Sequence, residues 1–421
     1  MSISINSDRL WSHLEMMSSF TVPDKPWTRR AFTDLYAEAR GYLTATLSEL
    51  GLSVEIDSAG NLVSTLKGSN SELPPIVVGS HIDTVESGGR YDGVLGVIAG
   101  VEVVHALQEN NLSLSRDLKV IDFLSEEPSD YGVSCIGSRG LVGDLSAEML
   151  AFTNQSGESL REAIIRVGGD PDRLNNPLVE KGDIAAFVEL HIEQGRVLES
   201  SFKDIGVVND IVGIHRYDVS LIGQADHAGT TPMDIRKDAL FGAACLIKSV
   251  YEEGRRLADK LSSVSGYFVA TTGVVNCLPN AANAVPSEVS LTVEVRSNDE
   301  SRLKSFFPEI ASEVRLFLEG VGLKLKYRDL SEGSPTYCDE LIKSTVKKVA
   351  SRSGASLSMM SSGAGHDAVY MAKVCPSGMI FTPCLNGRSH CPEENVTKDQ
   401  AALGTQVLFD TVLELDRLLC K

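Results

Sequence analysis

The sequence contains no long apolar run: nothing in its 421 residues approaches the roughly 18 consecutive apolar residues that cross a bilayer, so no membrane-spanning helix is expected. The opening stretch, MSISINSDRLWSHLEMM, lacks a basic segment followed by an apolar one, and no secretion signal is expected there. Paired cysteines are missing too. Cys135, Cys245, Cys277, Cys338, Cys375, Cys384, Cys391 and Cys420 are scattered with no CxxC among them. That spacing argues against a disulfide framework and points to reduced thiols in a cytoplasmic protein. Positive charge is short: 39 Lys and Arg face 57 Asp and Glu, a net charge of -18. Nucleic acid and anionic membrane surfaces would repel such a chain and are not expected as partners. Internal repeats and low-complexity tracts are absent as well.

What is present has the composition of an ordinary globular protein, and its length suits two or three domains or one large domain with an insertion. The first part alternates buried-strand runs with helical patterns, which predicts βαβ units and a largely parallel sheet. The strand runs are PPIVVGS, DLKVIDFLS (117–125) and IAAFVELH (184–191). Between the first two, Val94, Val97, Ile98, Val101 and Val104 keep helical spacing from Gly93 onward. From about residue 212 the texture changes. RYDVSLIG (216–223), a helix over 238–261, YFVATTGVV, SEVSLTVEVRS, a helix through RLKSFFPEIASEVRLFLEG and LKLKYRDL make the order β-α-β-β-α-β. That is the ferredoxin-like order, and 212–328 is expected to be a compact insert. Residues 1–211 and 329–421 then form one discontinuous domain, closing with the strand SGMIFTPC (377–384) and a helix near 398–419.

In open α/β sheets, ligands gather beyond the carboxyl ends of the strands. Four strand runs end there in side chains able to hold a metal. The first ends at His81, the second at Glu126-Glu127 and the third at His191, while the fourth leads into Gly387-Arg388-Ser389-His390. Asp92 falls at the start of the helix that follows the first run. Mixed imidazole and carboxylate ligands suit zinc, manganese, cobalt or nickel rather than calcium. In His81-x-Asp83 the carboxylate is expected to hold the imidazole's second nitrogen and fix its tautomer. Of the adjacent glutamates, one would bind metal and the other act on the attacking water.

Taken together, GSHIDTV…GGRYDGVLGV, ELHIEQG, ADHAGTTPM, GAGHDA and SHCPEE resemble the hydantoinase/carbamoylase-type amidases, a branch of the di-metal aminoacylase and carboxypeptidase family. That branch includes N-carbamoyl-L-amino-acid hydrolases, β-ureidopropionases and allantoate amidohydrolases. The motifs run in the family's order from residue 79 to 394. The resemblance implies an α/β di-metal hydrolase: a sheet domain flanked by helices, with the ferredoxin-like insert as lid and dimerisation domain. It implies two divalent ions per subunit (Zn, Mn, Co or Ni), one held by His81, His191 and Asp92, the other by Asp92, Glu127 and His390. Glu126 matches the general base, and His227 a residue donated across a homodimer to the developing oxyanion. Asn283 and Arg296 match the residues that grip a substrate carboxylate; an arginine's planar fork suits that task. Gln194, Gly363 and Gly365, the last two in the turn before His366, resemble further substrate-binding positions. His13, His105 and His215 are read as structural.

The implied reaction is hydrolysis, by metal-activated water, of a C–N bond in a small ureido or N-carbamoyl compound bearing a carboxylate. The alternatives are an aminoacylase or dipeptidase on the same scaffold, or a binding dimer without catalysis. Two departures from the family's pattern bear on the substrate. Glu126-Glu127 is followed by Pro128-Ser129-Asp130-Tyr131, where the family has Gly, a small residue, Arg and Phe, and Arg388 stands where a small or apolar residue is usual.

Overall fold

Strand runs that are apolar at successive positions need cover on both faces, and the interior of a sheet between helices provides it. The structure, a computed structural model, describes residues 4–262 and 266–420. In chain order its strands are β1 (Ser53–Ile56), β2 (Leu62–Leu66), β3 (Ile76–Ser80), β4 (Leu118–Asp122), β5 (Ala186–Ile192), β6 (Ile205–Ile211), β7 (Gly213–Ile222), β8 (Phe268–Leu278), β9 (Glu288–Ser297), β10 (Lys324–Glu332), β11 (Thr336–Tyr337), β12 (Leu357–Ser362) and β13 (Ser377–Thr382). The chain divides into two compact units. One comprises the residues up to Asn209, Tyr337–Met360 and those from Gly365 onward; the other comprises Asp210–Thr336 and Ser361–Ala364.

The first unit is built on a nine-stranded sheet in the order β1-β2-β4-β3-β5-β13-β6-β11, with β12 beside β6. Its centre, β4-β3-β5-β13, is parallel. Every residue of β3, β5 and β13 is buried, as expected for strands with helices on both sides. The flanks run antiparallel, β2 against β4, β1 against β2 and β6 against β13. The sheet is therefore mixed rather than largely parallel. For β1 and β2 the cause is local: a tight turn closed by Gly60 N–H on Asp57 O joins them, and so short a connection makes only an antiparallel pair. The helix Val94–Glu109 lies close on the parallel centre. A Cβ on Gly96 would meet Leu190 O at 2.3 Å, and one on Gly100 would meet Val120 Cγ1 at 2.7 Å. Glycine at both positions lets helix and strand backbones approach, and this seats the helix's N-terminus at the carboxyl ends of β3 and β5.

In the second unit the strands form an antiparallel sheet ordered β10-β7-β9-β8, with the helices Ala239–Ser262 and Glu300–Gly320 between strands. Alternation along β7 and β9 turns Tyr217, Val219, Leu221, Val289, Leu291, Val293 and Val295 into a core shared with Phe306 and Phe307. The unit starts at Asp210 and ends at Thr336, not at 212 and 328 as expected, because β10 carries its pairing with β7 on to Glu332. Among the described residues no helix is long and apolar enough to cross a membrane.

Candidate metal centre

The parallel strands β3 and β5 are neighbours, so His81, one residue past β3, and His191, near the end of β5, emerge side by side with ring centroids 5.9 Å apart. Asp92 precedes the N-cap of the helix Val94–Glu109. Glu126 and Glu127 are not at a strand's end: β4 stops at Asp122, and both sit on the loop beyond it. That loop is pinned from two sides. The first amides of the helix Ile136–Val142 and its N-cap reach back, Cys135 N–H to Glu126 O (2.9 Å), Ile136 N–H to Ser125 O (3.1 Å) and Gly137 N–H to Leu124 O (2.8 Å). The Asp83 carboxylate accepts the amides of Glu126 and Glu127 at 3.1 and 3.2 Å. His390, with a φ of 55°, follows the turn after β13.

Two three-residue groups result, His81–Asp92–His191 and Asp92–Glu127–His390, each with one potential ligand atom per residue and all three atoms within 4.8 Å of one another. Asp92 belongs to both. Its Oδ1 is 3.1 Å from His191 Nε2 and 3.8 Å from His81 Nε2; its Oδ2 is 3.0 Å from His390 Nε2, which in turn is 3.1 Å from Glu127 Oε1. Ligand atoms around one tetrahedral ion with bonds of about 2.0–2.1 Å stand roughly 3.3 Å apart, so these spacings fit. Tautomers fit as well. Nδ1 of His191 faces Ile192 O at 2.8 Å and Nδ1 of His81 faces Asp83 O at 3.0 Å. A carbonyl only accepts, so each Nδ1 carries a ring proton and Nε2 is the nitrogen left facing Asp92 as the potential ligand. The partner of His81 is thus the backbone carbonyl of Asp83, whereas the expected carboxylate lies at 3.6 Å because the loop amides engage it. Gly93 completes the cradle: with φ at +67°, a Cβ there would lie 2.3 Å from His81 Nε2.

Burial alone would raise the Asp92 carboxyl, but the imidazoles of His191 and His390 against it outweigh that and hold the group well below the usual carboxylate range. Glu126 is displaced the other way. Burial, with Glu127, Asp367 and Asp83 nearby, pushes its carboxyl well above the ordinary range against the opposing pull of His81. Its Oε2 is 3.7 Å from His81 Nε2, and its Oε1 accepts from Cys135 Sγ at 3.5 Å. A carboxyl so displaced, beside metal-binding side chains, is suited to taking up and returning a proton.

Two supporting residues escaped the sequence reading although both lie in SHCPEE. Ser389 Oγ is 2.9 Å from Asp92 Oδ2 and 2.7 Å from Glu394 Oε2. Glu394, fully buried, accepts the amides of Tyr91 (2.8 Å) and Asp92 (3.1 Å), and burial pushes its carboxyl up to about 7. Its neighbour Glu393 is exposed and pairs with Arg388 at 3.0 Å. No periodicity distinguishes the two; a lone Glu in this motif would have been the better signal.

Gln194, read as a substrate residue, donates from Nε2 to Asp92 Oδ2 at 2.8 Å. Gly365 belongs to the first unit, beside His366, whose buried ring packs edge-on against His191 at 4.6 Å. The other expected substrate residues lie in the second unit. There His227 is exposed, its Nδ1 accepting the amides of Gly229 (3.1 Å) and Thr230 (3.2 Å). The exposed Asn283 joins the same loop pair through Ala228 N–H on its carbonyl at 2.9 Å. Arg296 spends two donors, Nε on Glu294 Oε1 and Nη1 on Gly363 O, both at 2.7 Å. A Cβ on Gly363 would lie 2.4 Å from the Tyr267 hydroxyl.

The departing loop is anchored away from the metal ligands. Arg30 binds Asp130 Oδ1 at 2.6 Å and Pro128 O at 3.1 Å, and Tyr131 donates to Glu158 at 2.6 Å. The charge reversal at Asp130 is thus met by an arginine from the N-terminal segment.

Residues 77–414 match peptidase family M20/M25/M40. An N-carbamoyl-L-amino acid amidohydrolase of Geobacillus stearothermophilus is 36% identical over 412 residues, 98% of this chain and 99% of the relative. A ureidoglycolate hydrolase of Arabidopsis thaliana is 35% identical, covering 98% of this chain and 87% of that protein. The crystal structure of an amidase of the hydantoinase/carbamoylase family from Burkholderia multivorans superposes with a TM-score of 0.89 at 32% identity, over 99% of both chains.

Proposed function

Because this chain belongs to peptidase family M20/M25/M40, as a hydrolase of its hydantoinase/carbamoylase amidase branch, we propose that it cleaves a C–N bond of a small ureido or N-carbamoyl compound bearing a carboxylate. An N-carbamoyl-L-amino acid or a ureido acid such as ureidoglycolate or allantoate is the substrate class. The observation that carries this reading is Asp92, whose two carboxylate oxygens turn to separate imidazoles, His191 and His390, with the displaced carboxyl of Glu126 close by.

His81, His191 and Asp92 would hold one divalent ion, and Asp92, Glu127 and His390 a second, drawn from zinc, manganese, cobalt or nickel. When bound, such ions polarise the scissile carbonyl and make water nucleophilic near neutral pH. Glu126 takes a proton from the attacking water and returns it to the leaving nitrogen. Its displaced carboxyl suits both tasks, since it can be protonated and deprotonated in turn. His227, contributed by the second protomer of a homodimer, would donate to the oxyanion as the carbonyl carbon becomes tetrahedral. Arg296 and Asn283 would take the substrate carboxylate, and Gln194, Gly363 and Gly365 would line its path. The second unit, with its strands in the order β10-β7-β9-β8, would serve as a ferredoxin-like lid and dimerisation domain. Eight free cysteines fit a cytoplasmic location.

The test is ammonia release from N-carbamoyl-L-amino acids, ureidoglycolate and allantoate by protein reconstituted with manganese, zinc or cobalt. N-acetyl amino acids and dipeptides serve as the comparison. Ammonia from at least one ureido compound, with little turnover of the comparison set, is expected. Free amino acid from the acyl compounds alone would make the protein an aminoacylase or dipeptidase instead.

A further inference from the structure

We infer that the second unit carries a divalent-cation site of its own, formed by His215, Asp329 and Glu332. These residues lie on two neighbouring strands of one sheet, β7 and β10, and the inference does not depend on the reaction proposed above.

His215 is only 5% exposed and stacks on Tyr217, ring centroids 4.3 Å apart at 14°. The Tyr217 hydroxyl is 3.2 Å from Leu303 O and 3.4 Å from His215 Nδ1. It has one proton, and the carbonyl can only accept, so the hydroxyl donates to Leu303. The ring's other nitrogen, Nε2, faces outward, and what it meets is acidic: Asp329 Oδ1 at 2.9 Å and Glu332 Oε1 at 3.8 Å. One buried imidazole nitrogen and two carboxylates thus offer three ligand atoms to a cation.

The backbone is shaped to make this meeting possible. In a regular strand residues 329 and 332, three apart, would point to opposite faces. Between Asp329 and Ser331, however, the register with β7 shifts, so that Asp329 pairs with Tyr217 and Glu332 with His215. Because Tyr217 and His215 share a face of β7, the bulge brings both carboxylates to it. Ligand atoms of the three residues lie within 4.8 Å of one another. One imidazole and two carboxylates suit a first-row divalent ion such as zinc, and the half-exposed carboxylates leave a path for its entry. A bound ion would clip together β7 and β10, through which the chain enters and leaves the unit.

The experiment measures zinc retained per chain after equilibrium dialysis of the full-length protein at one fixed free Zn2+ concentration. The wild type is compared with His215→Ala and with the double variant Asp329→Asn/Glu332→Gln, whose exposed side chains can change without disturbing the core. The wild type is expected to retain one more ion per chain than either variant, while the ligands of the first unit are intact in all three. Equal counts in all three proteins would overturn the inference. So would ring-nitrogen NMR showing His215 Nε2 protonated and unmoved by added Zn2+, because a proton alone would then close the cluster.

Discussion

Gly93 leaves open the space beside His81 Nε2 that any side chain would fill: a Cβ there would lie 2.3 Å from the ring nitrogen. The residue also holds a φ of +67°, which L side chains adopt only under strain. Gly93→Ala is therefore expected to push the imidazole off Asp92, lower the metal content of purified protein, and cost about 10²-fold in turnover. Elemental analysis beside circular dichroism checks this; a variant with full metal and full activity would show that the cradle is not needed.

Glu126 is expected to act on protons rather than on metal. Glu126→Gln keeps the volume and the backbone bond from Cys135 but removes the base, so turnover should fall about 10²–10⁴-fold. Metal content should stay at the wild-type level. Loss of metal with turnover would instead make Glu126 a ligand.

Glu394 and Ser389 are expected to act through Asp92. Removing the carboxylate in Glu394→Ala frees the Tyr91 and Asp92 amides and one partner of Ser389. Metal affinity should drop about 10–100-fold, as for other residues that orient a ligand. Glu394→Gln retains an acceptor for the amides and should lie between the two. Competition with a coloured chelator measures all three proteins.

His105 is expected to make stability depend on pH. Burial, helped by Arg9 and His13, lowers its pKa from 6.5 to about 4. The unfolded chain then binds a proton that the folded one refuses, so the stabilisation is full above 6.5 and is lost as pH falls from there toward about 4. Urea midpoints of wild type and His105→Gln should converge over that window and separate above it. A constant difference between the two proteins would rule out the titration.

Much of the site was legible because ligands of a parallel sheet cluster at strand ends, and a strand end is visible as an apolar run meeting a polar motif. His81 and His191 illustrate this: both follow buried runs, and β3 and β5 are neighbours. Glu126 was visible only as part of a pair, and its position on a loop four residues past β4 was not. Periodicity stops at Asp122, and amides from Cys135 to Gly137 hold the rest. The mixed character of the sheet was hidden in the same way, since β1, β2 and β6 flank the parallel centre, where partners are set by turns and by edges left to cover.

The sequence by itself determined which residue types stand where the parallel strands run out, and the alternation that divides one core from the other. Those are local properties, carried by apolar spacing and by which side chains own a lone pair. Only the tertiary structure decided that Asp92 serves two imidazoles, that the Asp83 carboxylate holds loop amides instead of His81, and that a bulge sets Glu332 beside His215. Each depends on which of several acceptors a donor reaches first, and distances between remote chain segments settle that competition.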